Sequence, residues 1–154
     1  MPVPSPVRNA TYAVWAILAL AVLRVVLTIA FKDDLVDAYI AEHTLDWLPR
    51  DSAAEMAPQF VGVSIVSLAL TALLAFAAIN LPKGKNWARI VAVVFAALVI
   101  VGVGLAFLAP SLVILQIINV VMALASAAVI VLLFTADANR FFAARTGSTA
   151  GNPV

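Results

Sequence analysis

The chain has no cysteine and only one histidine, and both shortages exclude particular kinds of chemistry. Without cysteine there can be no disulfide, no thiolate ligand and no thiol redox reaction. With His43 as the sole imidazole, one chain cannot supply a bis-histidine haem or a histidine-rich metal site. Charged residues are also scarce, at 11%, and a formal net charge of +1 argues against a nucleic-acid partner. We therefore expect no cofactor, no metal and no nucleic acid.

Apolar residues, by contrast, are abundant. They make up 65% of the 154 residues, and the mean hydropathy is +1.12. Soluble domains contain roughly 45–50% apolar residues. A soluble fold of this length could not bury so much apolar surface, so the sequence predicts that the lipid bilayer is the solvent.

Four apolar runs define the predicted fold. They cover residues 10–31, 60–79, 90–108 and 112–134. A helix of about 20 residues crosses a hydrocarbon layer of ~30 Å. Short links join the last three runs, so these neighbours must run in opposite directions. The sequence predicts an all-α polytopic membrane protein, with four transmembrane helices in an antiparallel bundle that forms one membrane domain over residues 10–145.

The distribution of cations predicts the orientation of this bundle. Six cations fall on one predicted side, namely Arg8, Lys83, Lys85, Arg89, Arg140 and Arg145. Only Lys32 and Arg50 fall on the other. By the positive-inside rule, the side with more cations is cytoplasmic, so both termini are predicted to lie in the cytoplasm. The predicted location of the protein is the plasma (inner) membrane. Residues 1–9 and 146–154 are predicted to be a disordered leader and tail.

The outer segment, residues 32–59, carries seven of the eight acidic residues. Apolar residues within 35–48 fall on one side of a helical wheel, which predicts an outer amphipathic helix. Its apolar side would present Tyr39, Ile40, His43 and Trp47 to the bundle or to a partner protein. A helix that only rests at the membrane interface fits the same pattern, and the sequence does not separate the two arrangements.

Arg24 is the one charged residue well inside a predicted span. It lies ~4–5 Å to the outer side of the bilayer centre, where a cation costs from ~2.5 to more than 10 kcal/mol. Ser67 and Asn119 are expected at a similar depth, with Ser64 and Gln116 one turn further out. We predict an intramembrane polar layer in which Arg24 bonds Asn119 or Gln116. Snorkelling of the guanidinium to the outer surface is the alternative.

No acidic residue lies inside any predicted span, so the charge of Arg24 has no counter-ion within the bundle. A partner's carboxylate, a lipid phosphate, a bound anion or an outer aspartate (Asp33, Asp34 or Asp37) would have to neutralise it. The same absence argues against a proton-coupled transporter, because such proteins usually place an acid in the membrane.

Two spans contain pairs of small residues at four-residue spacing. These are Gly102-x-x-x-Ala106 in the third run and Ala123-x-x-x-Ala127 in the fourth. Small residues at this spacing let helix backbones approach closely in lipid. They are compatible with packing inside the chain and with self-association.

Three short motifs suggest a family resemblance. They are a Pro-x-Arg leader before the first run, the turn Gly-Lys-Asn-Trp-Ala-Arg at 84–89, and Asp-Ala-Asn-x-x-Phe at 137–142. Together they resemble small four-span integral membrane proteins of actinobacteria, an uncharacterised group. The resemblance covers most of the chain through short, largely interfacial motifs. It supports the four-span topology and implies no activity.

The sequence favours a non-enzymatic role. Asp46 and Ser52 lie in the same loop as His43, but proximity in a loop is not the geometry of a catalytic triad. The outer acids lack the spacing of a calcium loop. We predict an accessory or structural membrane protein that binds other membrane subunits or itself. The alternative is a small transporter or channel, for an anion, that uses Arg24.

The predicted topology can be tested by thiol labelling, because the chain has no cysteine of its own. Cysteines introduced at Ser5 and Ser148 should resist a membrane-impermeant reagent in intact cells, and one at Ser52 should react. Permeabilised cells provide the control, since all three positions should then label. Labelling of either terminal position in sealed cells would overturn the orientation.

Overall fold

The computed structural model describes residues 2–42, 57–107 and 112–147, and every regular element in these ranges is an α-helix. The helices are α1 (Ser5–Ala30), α2 (Lys32–Glu42), α3 (Ala57–Asn80), α4 (Asn86–Ala106), α5 (Val113–Leu133) and α6 (Ala136–Gly147). Helices α1, α4 and α5 are each long and apolar enough to cross a membrane. Within α3, Ile65–Asn80 is a shorter apolar stretch. The all-α class is confirmed, and the described ranges contain three helices of spanning length.

Helix α1 begins earlier than the sequence predicts. It starts at Ser5 rather than at residue 10, and Val7 is fully buried. Residues 5–9, predicted to be part of a disordered leader, are therefore the first turns of α1. A proline in the first turn explains this start, because its fixed φ suits a helix and its missing N–H costs nothing there.

The four long helices contact one another in a ring. Helix α1 packs against α3 and α5, and α4 packs against the same two helices. One hydrophobic cluster fills the space between them. On α1 the buried side follows steps of three or four residues through Ala10, Val14, Ile17 and Ala21. This periodicity is the one expected of a helix that buries a single face.

Helix α4 makes its close contacts through alanine. Ala88, Ala92 and Ala96, spaced four residues apart, are all completely buried. Gly102 and Gly104 are exposed, and a Cβ built on either would meet nothing within 4 Å. Gly102 therefore makes no close helix contact with the described part of the chain. The alanine series lets neighbouring backbones approach instead.

Helix α2 follows α1 directly and packs against α1 and α3. Leu35 and Val36 are buried, while Asp33 and Asp34 lie in its first turn, where carboxylates are favourable. The outer helix predicted over 35–48 thus corresponds to α2 as far as Glu42. The remainder of that prediction lies outside the described residues.

Helix α6 was not predicted as a separate element. It packs against α1 and α5 and buries Ala138, Phe141 and Phe142. Arg89, in the first turn of α4, holds it in place: the guanidinium lies 4.9 Å from the ring centroid of Phe134 and 5.5 Å from that of Phe142. The same guanidinium donates a hydrogen bond to Asn139 Oδ1. Cation–π contact and hydrogen bond together fix α6 beside the start of α4.

The turn between α3 and α4 is pressed against α6. Gly84 has a φ of 71°, in the left-handed region that favours glycine. A Cβ at this position would lie 2.6 Å from Arg145 Cγ and 3.3 Å from Phe141 Cε1. Both backbone conformation and space therefore require glycine here.

Replacing Gly84 with alanine should destabilise the protein. The left-handed conformation alone costs an alanine about 1–2 kcal/mol, and the clash with Arg145 adds to it. Gly102→Ala is the matched control and should be neutral or stabilising by up to about 1 kcal/mol, because Gly102 is helical and open. Both are measured by unfolding in detergent. Equal stability of the two variants would contradict the tight turn.

Candidate functional site

Arg24 lies on the inner side of α1. It falls three residues after buried Ala21 and four before buried Thr28, in step with the other buried positions of the helix. Its neighbours Leu23 and Val26 are 45% and 56% exposed and form the outer side. The Arg24 side chain is half-buried. It therefore faces the interior of the bundle rather than the surrounding lipid.

A small cavity adjoins the Arg24 side chain. Three helices line it: Ala21, Arg24 and Val25 from α1, Ser67 from α3 and Met122 from α5. Its volume of about 10 Å³ is close to the space that one water molecule needs. The sequence prediction had placed Arg24 and Ser67 at the same depth, and here they share one cavity.

The Nε–H group of Arg24 is buried and has no hydrogen-bond partner. Two nearby hydroxyls are directed elsewhere, since Thr28 Oγ1 donates to the Arg24 carbonyl oxygen at 2.9 Å and Thr71 Oγ1 donates to the Ser67 carbonyl oxygen at 2.7 Å. Leaving a buried donor of a charged group unpaired costs several times what a neutral hydrogen bond contributes. No protein group in the described chain accepts this hydrogen bond.

The other members of the predicted polar layer lie on the expected helices. Asn119 is buried and Gln116 half-buried on α5, but neither bonds Arg24 Nε, so the predicted bond is not made at that atom. Met122, three residues after Asn119, forms the α5 wall of the cavity instead. Three residues correspond to ~4.5 Å along a helix. The side chain of Ser64 lies outside the described residues.

Ser126 is a polar interior residue that the sequence reading missed. It is fully buried, and its Oγ has no hydrogen-bond partner. Ser126 follows Asn119 by seven residues and so lies on the same face of α5 two turns further on. That spacing was the available signal. Among the described residues, the interior thus contains two buried polar atoms without partners, Arg24 Nε and Ser126 Oγ.

Helices α1, α3, α4 and α5 contain no aspartate or glutamate. Arg24 therefore finds no carboxylate on any of the helices that surround it. Within the described ranges there is also no group of three histidine, cysteine or acidic residues able to hold a metal ion. Among the described residues that line the cavity, the polar side chains are the guanidinium of Arg24 and the hydroxyl of Ser67.

The predicted partner surface is described only in part. Ile40 is half-buried on α2, and Tyr39 belongs to the same helix although its side chain lies outside the described residues. His43 and Trp47 lie in residues 43–56, which are also outside them. The grouping of these four residues stays a prediction.

Comparisons with protein-family models, curated proteins and solved structures give no match for this chain. The resemblance to actinobacterial four-span proteins therefore stays a prediction, and the site has to be interpreted from its own geometry.

Replacing Arg24 with methionine should raise the stability of the isolated protein. Methionine keeps an unbranched side chain and removes a half-buried charge whose Nε–H is unpaired. A single arginine at the centre of a membrane helix costs roughly 2.5–3.5 kcal/mol, so we expect a gain of up to about 3 kcal/mol. Val25→Met changes the same cavity without changing charge and serves as the control. The measurement is thermal unfolding in a neutral detergent. A less stable Arg24→Met protein would show that the guanidinium has a stabilising partner inside the chain.

Proposed function

We propose that this chain is a non-enzymatic integral membrane protein, an accessory or structural subunit of a larger membrane complex or of a homo-oligomer. It has four antiparallel spans and both termini in the cytoplasm, and it is related to the small four-span proteins of actinobacterial plasma membranes. Helices α1, α4 and α5 supply three spans by length and hydropathy.

Helix α3 supplies the fourth span. Its 24 residues extend over ~36 Å, and its second half is apolar. Only residues 81–85 separate it from α4. The rings of Phe76 and Trp87, one on each side of this link, lie 5.5 Å apart. A contact across so short a link supports a reversal of direction between α3 and α4, and hence an antiparallel pair.

The observation that carries the structural role is the packing around Arg24. The cavity beside it accommodates about one water molecule, far less than a hydrated ion needs. Elsewhere the core is filled by large apolar side chains with at most 1% exposure: Val14, Ile17, Leu74, Val129 and Leu133. A tightly packed interior of this kind suits a rigid subunit.

The unpaired charge of Arg24 supports association with another component. A half-buried cation without a carboxylate on the surrounding helices is more favourable when a second molecule brings the negative charge. Because the Arg24 side chain is half-buried and not fully enclosed, an acid on a partner's transmembrane helix could reach its exposed part and satisfy this need. The same need would account for the presence of a residue that we expect to destabilise the isolated bundle.

Transport of a small anion is the second candidate, and Arg24 is the observation that favours it. A cation inside the bundle attracts anions, and Ser67 on the cavity wall adds a hydrogen-bond donor. The small volume of the cavity makes this the weaker candidate.

The subunit role is tested by extracting the protein from its native membrane in polymer nanodiscs and measuring particle mass. We expect a complex or oligomer rather than a monomer of 16.2 kDa. Arg24→Met should lower the assembled fraction severalfold, because the charge that draws the partner is lost. Leu23→Met, an equivalent change on the outer side of α1, should leave it unchanged.

Anion flux from liposomes reconstituted with the purified protein separates the two candidates. Flux no greater than that of empty liposomes supports the structural role. A monomeric particle together with flux that disappears in Arg24→Met would replace it with transport.

A further inference from the structure

Three cationic residues come together where the turn between α3 and α4 meets the end of α6. Gly84 packs against Arg145, and its chain neighbours are Lys83 and Lys85. Consecutive Cα atoms are ~3.8 Å apart, so all three side chains start from backbone positions within reach of one another. Lys83, Lys85 and Arg145 are all exposed. Sequence distance hides this arrangement, since some 60 residues separate the turn from Arg145.

Packing limits the freedom of the Arg145 side chain. Its Cβ and Cγ lie against Gly84, and its guanidinium is 5.7 Å from the ring centroid of Phe141, a buried residue of α6. The turn thus restrains the Cβ and Cγ atoms, and the aromatic ring restrains the guanidinium. The guanidinium is therefore held at the surface beside the turn that contains the two lysines.

The positive charge of this group is not balanced nearby in the described residues. Asp137, the one acid on α6, lies eight residues before Arg145, or ~12 Å along the helix. The first turn of α4 contains no acidic residue. Like charges so close repel one another, and an anion between them relieves that repulsion.

We propose that Lys83, Lys85 and Arg145 form a binding site for the phosphate of an anionic phospholipid headgroup. The location favours lipid over a soluble phosphate. Trp87 and Ile90, which follow the turn on α4, are 40% and 56% exposed, so the apolar surface of the helix begins immediately beside the cations. Tryptophan is enriched at the level of the headgroups. The site rests on the proposed membrane placement and is independent of the subunit role.

The test measures which lipids remain bound when the purified protein is taken from mixed micelles containing equal amounts of phosphatidylglycerol and phosphatidylcholine. Native mass spectrometry should show a clear preference for phosphatidylglycerol. Changing Lys83, Lys85 and Arg145 together to glutamine should reduce that preference at least tenfold, since each cation near an anionic lipid contributes roughly a fivefold gain in binding.

The matched control changes Arg8, Lys32 and Arg140 to glutamine, which removes the same charge from three other exposed positions. It should alter the preference less than threefold. Equal losses in the two triple variants would overturn the site in favour of general electrostatic attraction. Far-UV circular dichroism of each variant checks that the helices are retained. If the triple variant fails to fold, Lys85→Gln alone is measured instead, and its preference for phosphatidylglycerol should fall roughly fivefold.

Competition with inorganic phosphate tests whether the ligand is a soluble phosphate instead of a lipid headgroup. If it displaces phosphatidylglycerol and protects the wild-type protein against thermal unfolding at millimolar concentration, the ligand is a soluble phosphate and the lipid proposal fails. Displacement only by anionic lipid supports it. Particle mass in nanodiscs does not enter this test, so the site and the subunit role can fail separately.

Discussion

Close contact between helices at alanine is the interaction on which this structure depends. Between spans surrounded by lipid, burying apolar surface gains little, because the acyl chains are as apolar as the side chains. Association then relies on dispersion contacts, which require backbones to come near each other. Ala88, Ala92 and Ala96 on α4 make this possible, as do Ala77 and Ala78 near the end of α3, all with no exposed surface. Ala77, Ala78 and Ala88 lie near the turn of residues 81–85, and α6 packs against that turn.

The sequence predicted the all-α class and the positions of the long helices, because length and composition are properties of continuous stretches. The starts and ends of α3, α4 and α5 lie within a few residues of the predicted runs. Helix α6 was missed because its stability comes from contacts distant in sequence, chiefly those that Arg89 makes with Phe134, Phe142 and Asn139. The local sequence of this stretch predicted only an interfacial anchor of aromatic and basic residues, namely Arg140, Phe141, Phe142 and Arg145.

For the candidate site, the sequence indicated the depth of the polar residues better than it indicated which side chains meet. Counting from span centres placed Arg24 and Ser67 at one level, and both line the same cavity. It also placed Asn119 there, where the structure has Met122. Met122 follows Asn119 by three residues, or ~4.5 Å along the helix, so less than one helical turn decides which side chain lines the cavity. The inner orientation of Arg24 was readable from its spacing to Ala21 and Thr28, but in a helix apolar all round the contrast between faces is faint.

The cations of the 81–85 turn and of α6 differ in their structural roles, and a count of positive charges does not reveal these differences. Orientation in the membrane depends on how many lysines and arginines lie near the span ends, whatever their arrangement. Arg89 contacts the rings of Phe134 and Phe142 and donates a hydrogen bond to the side-chain amide of Asn139, so it attaches α6 to α4. Lys83, Lys85 and Arg145 form no ion pair with a carboxylate in the described chain. The contacts of Arg145 with Gly84 and Phe141 nevertheless hold the end of α6 against the turn that contains the two lysines. Placement of that kind is unnecessary for orientation, which is why a bound headgroup accounts for it better.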